Sequence, residues 1–314
     1  MLPSVAAPLR ARQVTRADLA AITAMYAAAN LADVGRVDSD ADDVESIWRW
    51  PGFDLAADAA LVVDERDRPC GYAWAHYGGA TTSADLVVAP GRRGSGVGRA
   101  LLDWLVARAR AHGARTTVRL DALGGDRAAA RLLGQAGFQA TRQTLRMRID
   151  LAPGVEPPRW PDGVTTRALD PAADGRAVHA LVQAAFADVE GWTPRPFEQW
   201  ASFTLERAGF DPGLCVLALG GGGELAGVAL NQRFSGDGGD EGFVQYLAVA
   251  RAWRRRGLGR ALLLASFGRM AGAGVPEASL YVDADNSTGA TRVYERAGMR
   301  VDGRWDRWEL ALAP

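Results

Sequence analysis

A segment of this chain occurs twice, 161 residues apart, and that repetition constrains the fold more than any other feature. Val88-Ala-Pro-Gly-Arg-Arg-Gly-Ser-Gly-Val-Gly-Arg-Ala-Leu-Leu102 returns as Val249-Ala-Arg-Ala-Trp-Arg-Arg-Arg-Gly-Leu-Gly-Arg-Ala-Leu-Leu263. Gln135-Ala-Gly-Phe138 returns as Arg296-Ala-Gly-Met299 in the same register. Two separated matches without a gap indicate duplication of a structural unit. A chain of 314 residues accommodates two such units, each long enough to bury a core. Between them, the segment 151–162 carries Pro153, Pro157, Pro158 and Pro161. It suits neither a helix interior nor a central strand and reads as a linker. The expected domains are therefore 1–150 and 163–314, joined by 151–162.

Within each unit the apolar pattern predicts mixed α/β structure. Helical spacing near the start (18–30 and 176–188) precedes strand-length apolar runs at 60–63 and 70–75, mirrored at 214–218 and 225–230. A further strand, ending at Val88 or Val249, runs into a glycine loop and then a helix. In the second copy Leu263, Phe267 and Met270 fall on one face of that helix. A strand over 278–285, another helix and a terminal strand pair follow, the crossover order of a sheet covered by helices.

Several function classes are excluded at this stage. The net charge of -1 favours neither nucleic acid nor an anionic membrane. No apolar run approaches the roughly 20 residues that span a bilayer. The N-terminus does not read as a signal peptide, and a cytoplasmic location is expected. All 36 basic residues are arginine, which removes a Walker phosphate loop and lysine Schiff-base chemistry. His76, His112 and His179 are far apart, and Cys70 and Cys215 lie in apolar runs, so no metal site is expected.

The repeated loop carries the chemistry. Arg93-Gly94-Ser95-Gly96-Val97-Gly98 and Arg254-Arg255-Arg256-Gly257-Leu258-Gly259 each sit between a strand and a helix. Glycines there permit a tight turn and close approach of a ligand. The first-turn amides, at the positive end of the helix dipole, form an anion site suited to pyrophosphate. The third glycine of a dinucleotide fingerprint is missing from both copies.

A strand followed by this loop and an Ala-Leu-rich helix is similar to the cofactor motif of the GNAT acetyltransferases. Asn286-Ser-Thr-Gly-Ala-Thr-Arg-Val-Tyr-Glu-Arg-Ala-Gly-Met299 resembles a second motif of the same superfamily, with its alanine shifted to Ala290. The tandem arrangement resembles mycothiol synthase and its relatives. The resemblance implies two tandem GNAT-like domains, each a central mixed β-sheet covered by helices. It also implies acetyl-CoA as cofactor, with pyrophosphate on the amides of Arg254 to Gly259, Arg260 nearby, and pantetheine along Leu247 to Val249. A second cofactor site could follow Val88 and the loop Arg93 to Gly98. At the shared offset Asn286 corresponds to Gly125 and Tyr294 to Leu133, so the N-terminal copy is expected to be non-catalytic.

Roles follow from the same resemblance. Tyr294 protonates the departing thiolate, unless it simply packs its helix. Asn286 contacts pantetheine, caps the helix, or does both. The amide of Leu247 stabilises the oxyanion in direct attack by an amine. The position where relatives often carry a glutamate base is Phe243, so Glu241, two residues earlier, is the candidate base; a solvated turn residue is the competing reading. Glu190, Trp192 and Asp283 are candidate acceptor contacts. The expected acceptor is a primary amine on a small molecule such as an amino sugar, an aminoglycoside or a cysteinyl thiol precursor. A protein amine, or an acyl-CoA sensor without catalysis, are the alternatives. The protein is expected to act as a monomer or homodimer.

Overall fold

The computed structural model describes residues 2–312 except 38, 79–80, 114–116, 153, 188, 190–191, 193, 208–209, 237–238 and 287–288. It resolves into two compact units. The first comprises Met1–Thr144 together with Gly303–Pro314, and the second Leu145–Asp302.

In chain order the first stretch runs β1 (Arg10–Arg12), α1 (Leu19–Val34), α2 (Ala41–Trp48), α3 (Leu55–Asp58), β2 (Ala59–Val63), β3 (Pro69–Gly78) and β4 (Thr81–Val88). It continues with α4 (Val97–His112), β5 (Thr117–Leu123), α5 (Arg127–Gln135) and β6 (Gln139–Asp150). The second stretch repeats the pattern as β7 (Thr165–Ala168), α6 (Pro171–Phe186), α7 (Phe197–Thr204), β8 (Val216–Leu219), β9 (Leu225–Gly236) and β10 (Gly239–Val249). It ends with α8 (Leu258–Gly272), β11 (Glu277–Asp283), α9 (Ala290–Arg296) and β12 (Arg300–Ala311). Helix starts carry their expected signals. Asp170 accepts from the amides of Ala172 and Ala173, with Pro171 in the first helical turn of α6.

The first unit orders its strands β1-β2-β3-β4-β5-β12, and the second orders them β6-β11-β10-β9-β8-β7. The chain's last strand therefore closes the first unit: β12 pairs antiparallel with β5 from Trp305↔Leu123 to Ala311↔Thr117. The corresponding edge of the second unit is filled by β6. This differs from the division expected from the sequence, in which 151–162 separates two self-contained halves. An open strand edge requires a backbone partner, and chain order does not dictate which segment supplies it.

Each sheet is covered on both faces. In the first unit one core joins β2–β5 to Val97, Leu101 and Leu105 of α4. The opposite core joins Leu61, Tyr72 and Trp74 to Ile22 and Met25 of α1 and Trp48 of α2. In the second unit Leu263, Phe267 and Met270 of α8 pack with Val244, Leu280 and Met147. Val178, Val182 and Trp200 pack with Val228, Leu230 and Ala248 on the other face. The helical face anticipated for Leu263, Phe267 and Met270 is fully buried.

Candidate active site

The site in the second unit starts from a break in the sheet. β10 runs parallel to β11 only through Glu241↔Glu277, Gly242↔Ala278 and Phe243↔Ser279, and then the pairing ends. β10 continues to Val249 and β11 to Asp283. On its other edge β10 stays paired with β9, with an irregularity between Val244 and Tyr246 that leaves Gln245 as an extra residue. The Ala250 amide donates to Ala226 O at 2.9 Å on the β9 side. Alternation along the strand directs the backbone groups of Leu247 and Val249 to the opposite edge, into the gap beside β11. That gap offers the backbone hydrogen-bonding groups of Leu247 and the Val249 N–H to an extended ligand.

The gap leads to the start of α8. The first intrahelical bond there is Ala261 N–H to Gly257 O at 3.1 Å, so the amides of Leu258, Gly259 and Arg260 have no intrahelical acceptor. Gly257, with φ +83°, occupies the left-handed region, and no atom stands within 4 Å of where its Cβ would lie. Arg255 is also left-handed at φ +60°, where its counterpart Gly94 sits at +75°. A strained non-glycine residue in a loop that frames an anion site is a mark of functional geometry. Arg254 donates to Val249 O (3.3 Å) and Ala185 O (3.2 Å), fastening the loop to β10 and α6. Arg256 lies 5.1 Å from the Trp253 ring centre, and Arg260 pairs with Glu156 at 2.6 Å. Outward amides, several guanidinium groups and a splayed strand fit an extended, phosphorylated thioester cofactor.

Tyr294, on α9, packs against the same apolar cluster as Leu247, a cluster that includes Leu280 and Val282 of β11. Burial pushes its phenol up to about 12, so it keeps its proton at neutral pH. Asn286 lies before α9, but the residue at the helix start is Gly289, with φ +75°. Asp283 is occupied in the turn: its carboxylate accepts from Asp285 N and its carbonyl from Asn286 N. Trp192 lies on the opposite face of the sheet, with its ring 4.8 Å from Phe186 and 6.2 Å from Tyr246. Glu190 lies outside the described residues.

Glu241 is not placed as a base. Both its carboxylate oxygens accept from Arg146 Nη2, and Arg146, 2% exposed, also donates to Asp302 at 2.8 Å. A carboxylate held by a buried guanidinium is stabilised in its charged form and loses basicity. The sequence contained no signal for this, because Arg146 reaches the site on β6, from the far side of the linker. Burial raises the Cys215 thiol to about 11 and also raises that of Cys70, so neither supplies a thiolate nucleophile. Among the described residues there is no cluster able to hold a metal ion, and no helix long and apolar enough to cross a membrane.

The first unit keeps part of this geometry. β4 pairs with β5 only from Thr81↔Thr117 to Ser83↔Arg119, then continues alone to Val88. Gly96, at φ +86°, precedes α4. Arg93, however, is held by Asp33 at 2.6 and 2.8 Å, and Ser95 Oγ donates to Arg92 O. Leu133, at the place of Tyr294, is a core residue.

Residues 22–138 and 176–299 both match the family model described as the acetyltransferase (GNAT) family. The chain belongs to the GNAT acetyltransferase family. It is an acyltransferase with two GNAT repeats, in the tandem organisation of mycothiol synthase. It is 34% identical to a mycothiol acetyltransferase of Geodermatophilus obscurus, over 96% of this chain and 99% of that protein. It is also 34% identical to that of Clavibacter sepedonicus, over 86% of each. Among solved structures, a GCN5-related N-acetyltransferase from Sphaerobacter thermophilus superposes with a TM-score of 0.83 at 33% identity, over 99% of this chain and 98% of that one. A tandem GNAT protein from the clavulanic acid biosynthesis pathway shares the fold, with a TM-score of 0.75 at 20% identity, over 98% and 99% of the two chains.

Proposed function

We propose that the second GNAT unit transfers an acetyl group from acetyl-CoA to a primary amine of a small molecule, and that the first unit does not catalyse this step. The observation that carries the reading is the gap between β10 and β11, which runs from the α8 N-terminus past Leu247 and shares a cluster with Tyr294. Acetyl-CoA supplies the activated acyl thioester. The amides of Leu258, Gly259 and Arg260 hold phosphate oxygens, and the backbone of Leu247 and Val249 orients the pantetheine arm. The Leu247 N–H is the donor for carbonyl oxygen charge that develops during attack. Tyr294 holds at its hydroxyl the proton that a departing thiolate takes up. The mycothiol acetyltransferases, at 34% identity, favour a small-molecule acceptor over a protein one.

The test is release of free CoA thiol from acetyl-CoA with a panel containing glucosamine, cysteine-capped amino sugars, spermidine and a lysine-bearing peptide. The expected outcome is turnover with at least one small amine and its loss in Tyr294→Phe. Preference for the peptide, or no turnover with any amine, would overturn the proposal.

A further inference from the structure

The splayed strands of the second unit carry an aromatic surface that the transfer step does not use. Val244 of β10 and Leu280 and Val282 of β11 pack in the cluster with α8. Alternation therefore turns Phe243 and Tyr281 to the opposite face of the sheet. Their rings stand 5.8 Å apart, and Phe234 of β9 meets Phe243 at the same distance. The Arg207 guanidinium lies 5.6 Å from the Phe234 ring centre. Phe234 and Phe243 are half-buried and Tyr281 is 45% exposed, so the surface is reachable.

Position ties these rings to the gap. Phe243↔Ser279 is the last pair before β10 and β11 part, and Tyr281 lies two residues beyond Ser279 on β11. Leu247, whose amide faces the acyl carbonyl in the proposed transfer, is four residues further along β10. The aromatic surface thus borders the closed end of the gap, on the face away from α8.

The acids on this face of the two strands are already engaged. Glu241 is held by Arg146, and Glu277 pairs with Arg148 at 2.6 Å. Asp283 accepts from the Asp285 amide at 3.0 Å. A site without a ready base discriminates between amines by their own basicity. A lysine-like amine, with a pKa of about 10.4, is neutral in only about one molecule in 2,500 at pH 7. An aryl amine delocalises its nitrogen lone pair into the ring and is neutral at that pH, so it attacks without prior deprotonation. Its flat ring also packs favourably against aromatic side chains.

We propose, resting on acetyl transfer in the second unit, that its preferred acceptor is a small aryl amine whose ring lies on Phe243, between Phe234 and Tyr281. The amine nitrogen bonds to the acetyl carbon as the C–S bond breaks, and the sulfur takes the Tyr294 proton. The proton that nitrogen then sheds passes through water to the Tyr294 oxygen. Nitrogen becomes strongly acidic only once the new bond forms, so water suffices as the carrier. Phe243 is thereby a specificity residue, and alkylamines are slower acceptors, limited by their neutral fraction.

The test is release of CoA thiol by the full chain with aniline and with cyclohexylamine, ring amines of similar size. At pH 7, kcat/KM for aniline should exceed that for cyclohexylamine at least about tenfold. Between pH 7 and 9 the cyclohexylamine rate should climb about a hundredfold with its neutral fraction, while the aniline rate changes less than about twofold. Phe243→Leu, which keeps an apolar side chain, should raise the KM for aniline about fivefold and leave that for acetyl-CoA unchanged. Cyclohexylamine matching aniline, parallel pH profiles, or an unaltered aniline KM in Phe243→Leu would each overturn the proposal while acetyl transfer stands. Turnover with no amine at all would overturn both. The comparison of the two amines on wild type decides even if the variant fails to fold.

Discussion

Arg146 Nη2 engages both carboxylate oxygens of Glu241, 2.6 Å from Oε2, inside the second unit. The guanidinium is almost fully buried and also meets Asp302, which Arg148 approaches at 4.0 Å, so Glu241 belongs to a structural ion network. Glu241→Gln should therefore change kcat by less than about threefold, because a general base would contribute at least about a hundredfold. Arg146→Ala should cost about 1.5–3 kcal/mol, since it removes the charged hydrogen bonds that a buried guanidinium makes to two part-buried carboxylates. Steady-state kinetics and urea midpoints check the pair of outcomes.

The two glycine loops invite a direct comparison. A side chain at Gly257 meets no atom within 4 Å, so Gly257→Glu should fold, with only the strain of a left-handed residue. Its carboxylate would face the outward amides of α8 and weaken acetyl-CoA binding at least about tenfold. Gly96→Glu, at the matching place in the first unit, should leave turnover unchanged. Calorimetry with acetyl-CoA on both variants separates the units.

Tyr294→Phe should lower kcat about a hundredfold with little change in KM for acetyl-CoA. Because burial lifts this phenol from 10.0 to about 12, no alkaline fall in rate should arise from it below about pH 10. The linkage to stability has a definite sign. The folded state holds the proton more tightly than the unfolded one, so the contribution is complete below pH 10 and lost as pH rises to about 12. Thermal melts at pH 9 and 11 should show a smaller loss in Tyr294→Phe than in wild type.

Removing residues 303–314 should damage the first unit, although they are the last in the chain. Without β12, the β5 edge loses its backbone partner and the core loses Trp308, Leu310 and Leu312. Chains ending at residue 302 should show no cooperative unfolding of the first unit by hydrogen exchange. Fragments 1–150 and 163–314 should fold only when mixed. A fragment that folds alone with native-like protection would falsify this.

Close approach of strand and helix sets a further test. A Cβ on Gly227 would lie 2.8 Å from Leu262 Cδ1 and 3.1 Å from Ala248 O, pressing α8 away from β9. Gly227→Ala should cost about 1–3 kcal/mol. It should also weaken acetyl-CoA binding, because the displaced helix carries the phosphate-binding amides. A melting temperature equal to wild type would show that the helix yields without strain.

What the sequence determined by itself was the repeat, the glycine loops between strand and helix, and the asymmetry between Tyr294 and Leu133. Each depends on neighbours within about fifteen residues, or on a comparison of the chain with itself, so each is legible without coordinates. The backbone requirement at Gly96 and Gly257 is a local property of φ. The buried face of Leu263, Phe267 and Met270 follows from helical period alone.

Only the tertiary structure decided which strand closes which sheet, that Glu241 is bound to Arg146, and that Phe234, Phe243 and Tyr281 form one surface beside the gap. These are relations between residues distant in the chain. An edge strand finds its partner by backbone hydrogen bonding, which every sequence can supply equally, so no local pattern records the choice. A carboxylate's chemistry is set by the charges and solvent around it, and those are assembled only when the sheet and helices pack. That is why Glu241, on the strand that flanks the gap, became one partner of an ion pair rather than a base.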